Sequence, residues 1–387
     1  MVSNMPSPSD PLLLWCSSHE SLAAEEIPLF LEAGFRVVPL HTNFWTQEYD
    51  PALDATICPA WRESVALPPD VVRVLQAVRI CQPDKHPAFS DEDLALLARH
   101  VDAVYVTVFP NVAIRLAEEF SRTVMFRAFG QAGLNTYSKI AAAYGADPAL
   151  VYGLPNFIWC PILSTLQEPE DEQFVRNAQP LRAFVTPSRL GGERWSAAAS
   201  EPYVVDTIPR LHTDFYLGNY RRFIADHGEL PLKILGGNEP RGGVLDDARI
   251  VGRLPAAEYY AAAARARLSI YHGRVRDHLH YHPLEFMTLG VPVLFHCDTA
   301  LAAEAELIGK SAQELAEAGM FSDAAEANRI ARAALADAQV GAAIAANQRF
   351  FLERIFARSA ALEQAIWLRT LVVQRTARER AVRPCDA

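Results

Sequence analysis

Residues 276–295, RDHLHYHPLEFMTLGVPVLF, carry two sets of side chains that could do chemistry. His278, His280 and His282 alternate. Alternate residues of a strand share a face, so three imidazoles could converge on a zinc ion. Asp277 and Glu285 frame the second set: an acid, seven residues and an acid. A carboxylate in the first turn of a helix, beside backbone N–H groups with no intrahelical partner, suits a ligand that offers vicinal hydroxyls and a diphosphate. The metal reading needs an acidic or cysteine cluster as neighbour, and the sequence offers none beside these histidines. Five of the eleven histidines (His272, His278, His280, His282 and His296) fall in this region. They are read as lining a polar cleft, where neutral imidazole donates to phosphate or hydroxyl groups.

Several elements must position these groups. Pro283 has no N–H to lose and suits a helix start, which places His282 near the N-cap and Glu285 in the first turn. Gly290 and Pro292 suit a tight exit into the strand VPVLF. Both halves of the chain alternate short apolar runs with amphipathic helices, which predicts parallel sheets covered on both faces. In the first half PLLLWCS, FRVVPLHT, AVYVTVFP and TVMFRAFG read as strands. Between them lie a helix around AAEEIPLFLEAG, with Pro28 in its first turn and Gly34 ending it, and helices starting at Ser90 and at NVAIRLAEEF. In the second half YVVDTIPRL, LPLKILGG, ARIVG, LSIYHG and VPVLF read as strands, with helices TDFYLGNYRRFIADHG and PAAEYYAAAARAR among them. A polar stretch holding one strand-like piece, LRAFVTPS, separates the halves. The expected class is α/β, with two Rossmann-like domains facing a cleft: residues 1–190, residues 191–345, and C-terminal helices over 346–387 that cross back to the first domain.

At 387 residues two domains are the default, and the formal net charge of −10 argues against nucleic acid as a partner, since phosphate contacts need a basic face. No run of about 18 apolar residues predicts a membrane span, and the first residues lack a basic leader, so cytoplasmic residence is expected. The six scattered cysteines contain no C-x-x-C and are read as reduced thiols.

From about residue 203 to 297 the second half resembles the donor-binding domain of GT-B glycosyltransferases with an E-x7-E motif. The pieces run in the family's order: LKILGGN, then RIVGRLPAAEYYAAAARARLSIYH, then DHLHYHPLEFMTLGVPVLF. Here the first acid is Asp277 in place of Glu. The resemblance implies that Asp277 contacts the transferred sugar and Glu285 the ribose, with His282 beside them. It also implies that Arg210 binds phosphate, that Gly236, Gly237 and Asn238 let the backbone approach the donor, and that the main chain near Arg253 and Leu254 holds the base. The family's nearby lysine is missing, and Arg274 and Arg276 are candidates to replace it. In the first domain His19 and Glu20 follow the first strand and are candidates for acceptor binding or a general base. Arg127 and Gly130 follow another strand and are candidates for the acceptor side. Each has a plainer reading: a first-turn acid for Glu285, a surface ion pair for Arg210, a turn for Gly236-Gly237, a helix start for His19 and Glu20.

The implied activity is metal-independent transfer of a sugar, with retention in the members most resembled, from a nucleotide-sugar to a glycan, lipid-linked or protein acceptor, without a cofactor. The competing expectations are a nucleotide-sugar epimerase of the same build, a metal-dependent hydrolase centred on the three histidines, and a binding protein that kept the fold. The basic tail with Arg369, Arg375, Arg378, Arg380 and Arg383 is read as a returning helix, with peripheral contact to an anionic membrane as the alternative.

Overall fold

A computed structural model describes residues 7–17, 19–41, 60–78, 89–107, 110–130, 136–237 and 245–382. The chain divides into two compact units, Met1–Ala183 with Ser359–Ala387, and Phe184–Arg358.

In the first unit β1 (Leu12–Ser17), β2 (Arg36–His41), β3 (Ala103–Val106), β4 (Thr123–Ala128) and β5 (Phe157–Pro161) form a parallel sheet in the order β2-β1-β3-β4-β5. Every residue of β1, β3, β4 and β5 is buried, as expected of strands covered on both faces. β5 carries the run FIWCP, which the sequence reading had not singled out. Helix α1 (Glu20–Glu32) starts earlier than expected because the His19 side chain caps it, accepting from the Leu22 N–H. Pro28 therefore lies well inside the helix and not in its first turn, where it removes one intrahelical hydrogen bond. Gly34, at φ 89°, follows the helix end. Ser90 caps the helix Asp91–His100 through a capping box with Asp93. The piece LRAFVTPS is not a strand. Its Leu181 and Ala183 N–H groups donate to the carbonyls of Pro161 and Ile162 at 3.1 and 3.4 Å, so it runs extended along the sheet margin.

In the second unit β6 (Glu201–Thr207), β7 (Leu232–Leu235), β8 (Ile250–Gly252), β9 (Ala266–Ile270), β10 (Val293–His296) and β11 (Met320–Phe321) form a parallel sheet ordered β11-β10-β9-β6-β7-β8. That is the strand order of a dinucleotide-binding Rossmann sheet, while the first unit has the flavodoxin-like order. The core joins Val204, Ile234, Leu268, Ile270 and Leu294 of the strands to Ala327, Ala331 and Ala334 of the helix Ala324–Ala336. Small alanines let that helix approach the sheet closely. Helix α2 (Asp214–His227) follows β6, α3 (Ala256–Arg265) follows β8, and α4 (His282–Leu289) lies between β9 and β10.

The last helix, α5 (Arg358–Val382), buries Ala361, Ala365, Leu368 and Val372 at helical spacing. Its Gln364 accepts from the Arg182 N–H at 2.8 Å, Trp367 donates to Gln179 at 2.9 Å, and Arg369 donates to the Gly34 carbonyl and pairs with Asp10. Burial lowers the Arg375 guanidinium from its ordinary value. Arg383 lies outside the described residues. Among the described residues no helix is long and apolar enough to cross a membrane.

Candidate functional site

In an open parallel sheet, ligands bind beyond the carboxyl ends of the strands, where the strand order reverses. In the second unit that point lies between β6 and β9. Two residues meet there: Asp206, next to last in β6, and His272, just past the end of β9. Oδ2 of Asp206 accepts from the His272 Nδ1 at 2.8 Å and from its backbone N–H at 3.2 Å. Oδ1 accepts from Nε2 of His282 at 2.9 Å. Burial pushes the Asp206 carboxyl up, but the two imidazoles outweigh it and hold the group below the usual carboxylate value. Burial also lowers His282, with Asp206 offsetting only part of the effect.

His282 is the first residue of α4, and Pro283 and Glu285 fall in the first turn. Gly290 ends the helix at φ 91°, a left-handed conformation that glycine adopts without strain. Glu285 is buried. Its Oε1 lies 2.5 Å from Nη2 of Arg189 and accepts from the Tyr260 hydroxyl at 3.2 Å. Asp277 is partly buried on the segment before α4, and burial raises its carboxyl above the ordinary value.

Arg210 lies beyond the end of β6 and is exposed, with φ 53°, in the left-handed region that costs a non-glycine residue about 1–2 kcal/mol. Gly236 and Gly237 follow β7 at φ 75° and 80°. What their backbone approaches closely within the protein is the turn after β6: a Cβ on Gly237 would stand 2.9 Å from Leu211 Cδ1. Arg253 and Leu254 follow the edge strand β8, and Arg253 is exposed. Arg274 and Arg276, the candidates for the missing lysine, are both engaged with acids. Arg274 pairs with Asp226 at 2.5 Å and Arg276 with Glu306 at 2.7 Å. Asn238 lies outside the described residues.

In the first unit His19 caps α1 through Nδ1. That contact engages Nδ1 with the start of the helix. Glu20 is the first residue of α1. Gly130 follows β4 at φ 99°, and its N–H and that of Phe129 both donate to the Tyr137 hydroxyl, at 2.9 and 3.1 Å. The expectation that Arg127 faces an acceptor is corrected. Its side chain is fully buried in β4, paired with Glu26 at 2.8 Å and donating to the Leu181 carbonyl. Burial pushes Glu26 up, against the opposing effects of Arg127 and Tyr105. Arg127 is 0% exposed on a strand whose every residue is buried, so its guanidinium has no route to solvent.

The three alternate histidines do not form a metal site of the kind the strand pattern suggested, because residues 271–281 are not a strand. Nε2 of His278 and Nε2 of His280 lie 3.4 Å apart, but His282 turns to Asp206. Among the described residues two groups bring three ligand atoms within 4.8 Å: Asp206, His272 and His282, and His296, Cys297 and Asp298. In the first, carboxylate and imidazole atoms stand 2.8 and 2.9 Å apart, a hydrogen-bond separation. Ligands around one tetrahedral zinc at about 2.0–2.1 Å would stand about 3.3 Å apart. In the second, Nε2 of His296 donates to the Ser322 carbonyl and Nδ1 accepts from the Asp298 N–H.

No family model matches the sequence, and no curated protein sequence matches it. Solved structures do match. Sucrose-phosphate synthase from Thermosynechococcus elongatus superposes with a TM-score of 0.56 at 14% identity, over 95% of this chain and 99% of that one. An α-glucosyltransferase solved with UDP and a 13-mer DNA containing a HMU base gives a TM-score of 0.58 at 9% identity, over 94% and 100%. Anabaena HepE, solved with UDP, gives 0.54 at 12% identity, over 92% and 98%. The fold is that of solved glycosyltransferases. The glycosyltransferase fold thus spans both units, and the GT-B architecture expected from the second half extends to the first.

Sequence reading missed Asp206, Arg189 and Tyr260. A lone acid inside the apolar strand YVVDTI was a usable signal, since unpaired carboxylates are almost never fully buried. Arg189 and Tyr260 had no local signal. Both reach Glu285 only through the fold.

Proposed function

We propose that the protein is a glycosyltransferase that binds a nucleotide-sugar in its second unit and transfers the sugar to a glycan, lipid-linked or protein acceptor. The observation that carries this reading is Glu285: a buried acid in the first turn of the helix that follows the strand-order reversal, eight residues after Asp277, inside a chain whose fold matches solved glycosyltransferases nearly end to end. The α-glucosyltransferase was solved with UDP and HepE with UDP and with UDP-glucose, which makes a uridine donor the first to try.

In this reading Glu285 accepts from the ribose hydroxyls and Asp277 from a hydroxyl of the transferred sugar. Burial raises Asp277, so it can also donate to the sugar when protonated. Arg210 and the N–H groups at the start of α4 stabilise the charge that develops on the leaving diphosphate. Gly236, Gly237, Arg253 and Leu254 border the donor with main chain. The first unit supplies the acceptor side, with His19, Glu20 and Gly130 beyond its strands.

The reaction we favour is retaining and needs neither a protein nucleophile nor a metal. The acceptor hydroxyl attacks from the side the diphosphate leaves, and the diphosphate takes the proton. An inverting reaction would instead need a base from the first unit, with His19 or Glu20 the candidates.

The test is incubation with labelled UDP-, GDP-, TDP- and ADP-sugars and a panel of glycan, lipid-linked and peptide acceptors, with EDTA present, and detection of nucleotide release and of the anomeric configuration of the transferred sugar. Release from one donor, with the α configuration kept, supports the reading. No turnover of any donor by protein that is folded contradicts it.

A further inference from the structure

We propose that Asp206 is the positioning residue of this pocket, one buried carboxylate that holds both acids of the D-x7-E pair in place through His272 and His282. The proposal rests on the donor-site reading only for its functional consequence; the clamp itself is a property of the free protein.

Asp206 is 0% exposed and sits on β6, a central strand flanked by β9 and β7. A charge there is costly unless every lone pair finds a donor. Both oxygens find one, and the donors come from two separate places, the chain leaving β9 and the first residue of α4. The rings of His272 and His282 lie nearly parallel, 15° apart, across the carboxylate.

The consequence is mechanical. His272 and His282 are the two ends of the segment that contains Asp277, so that segment is pinned at both ends to the same side chain. Tyr271 ties its two ends together by accepting from the His280 N–H at 3.3 Å, with its hydroxyl 3.1 Å from His280 Nδ1. Gly273 allows this, because a Cβ there would stand 2.4 Å from Tyr271 Cζ. At the far end, fixing His282 fixes the rotation of α4 about its axis. Glu285 lies three residues on, roughly 300° around at 3.6 residues per turn, so its direction follows from that anchor. Removing the carboxylate frees both acids at once.

The geometry places each imidazole as an N–H donor to the carboxylate. That makes the role separable by isosteres. An asparagine amide can stand in for the Nδ1–H of His272 and a glutamine amide for the Nε2–H of His282, and neither amide titrates.

The experiment is amide hydrogen exchange over residues 271–289 of the full-length protein without ligand, in Asp206→Ala, His272→Ala, His282→Ala, His272→Asn and His282→Gln. The expected result is exchange faster by roughly tenfold in the alanine variants, with the amide variants within about twofold of the parent. If Asp206→Ala does not fold, the four histidine variants carry the same comparison. Parent-like exchange in the alanine variants overturns the clamp. Amide variants that match the alanine ones overturn it too, since imidazole chemistry would then be required. UDP binding by the parent and by Asp206→Ala is measured alongside. Its absence in the parent would count against the donor-site reading, while the exchange result would still decide the clamp.

Discussion

Nη2 of Arg189 lies 2.5 Å from Oε1 of Glu285, with the two side chains 18% and 6% exposed. Arg189 belongs to the short 3-10 turn Pro187–Leu190 that precedes β6, and its Nη1 also donates to the Tyr260 hydroxyl at 2.7 Å. One oxygen of Glu285 is therefore committed to the protein, which leaves Oε2 to meet a ligand. Arg189→Met should leave the buried carboxylate without its charged partner, with only the Tyr260 hydroxyl donating to it, at a cost of about 2–3 kcal/mol. The expected outcome is a lower melting temperature together with weaker nucleotide binding. Calorimetry on both properties checks it, and unchanged nucleotide affinity would remove Arg189 from the site.

Arg127 makes the opposite prediction. It is paired with Glu26 in the core of the first unit, so Arg127→Ala should destabilise by about 3–5 kcal/mol by stranding a buried acid. The double change Arg127→Met with Glu26→Leu should recover most of that loss. Denaturant unfolding of the two variants makes the comparison, and a mild effect of Arg127→Ala would mean that its guanidinium reaches water.

Stability should fall on mild acidification. Burial lowers His227, His282 and His296 in the folded chain. The unfolded chain takes up these protons at about pH 6.5 while the folded chain resists, so their contribution is complete above that value and is lost as pH drops through the lower folded values. The lowered carboxyl of Asp206 acts in a more acidic window: its contribution is present above about pH 4 and is lost as pH falls through its folded value. A melting series from about pH 8 to about pH 5 should decline, and His282→Gln should make the decline shallower. A flat parent curve would contradict the buried neutral imidazoles.

Arg210 holds a left-handed backbone that glycine adopts freely. Arg210→Gly should keep or raise stability, by up to about 1 kcal/mol, while reducing affinity for a nucleoside diphosphate by about tenfold through the lost guanidinium. Paired unfolding and binding measurements test this. Undiminished affinity would return Arg210 to a plain surface role.

The α/β class and nearly every strand of the second unit were legible because buried parallel strands leave continuous apolar runs, and Glu285 was legible because Pro283 and Gly290 bracket its helix. The start of α1 was misread because a histidine cap at His19 is a weak signal beside Pro28, a conspicuous one. Arg127 was misread because a strand-end arginine looks the same whether its partner is a ligand or a glutamate about a hundred residues earlier. The period-two spacing of the histidines did not say where they point, because they lie in an irregular segment whose two ends are held by contacts with Asp206, far away in sequence. Such long-range pairings leave no local periodicity to read.

The role proposed for Glu285 is to hold a nucleotide. Isothermal titration of the parent and of Glu285→Gln with UDP, GDP, TDP, ADP and CMP, without added metal, tests it most directly. The expected result is one-to-one binding of one nucleotide by the parent, weakened by roughly tenfold or more in Glu285→Gln, with that variant still unfolding cooperatively. Equal affinity in the two proteins, or binding of none of the five by the parent, would contradict it.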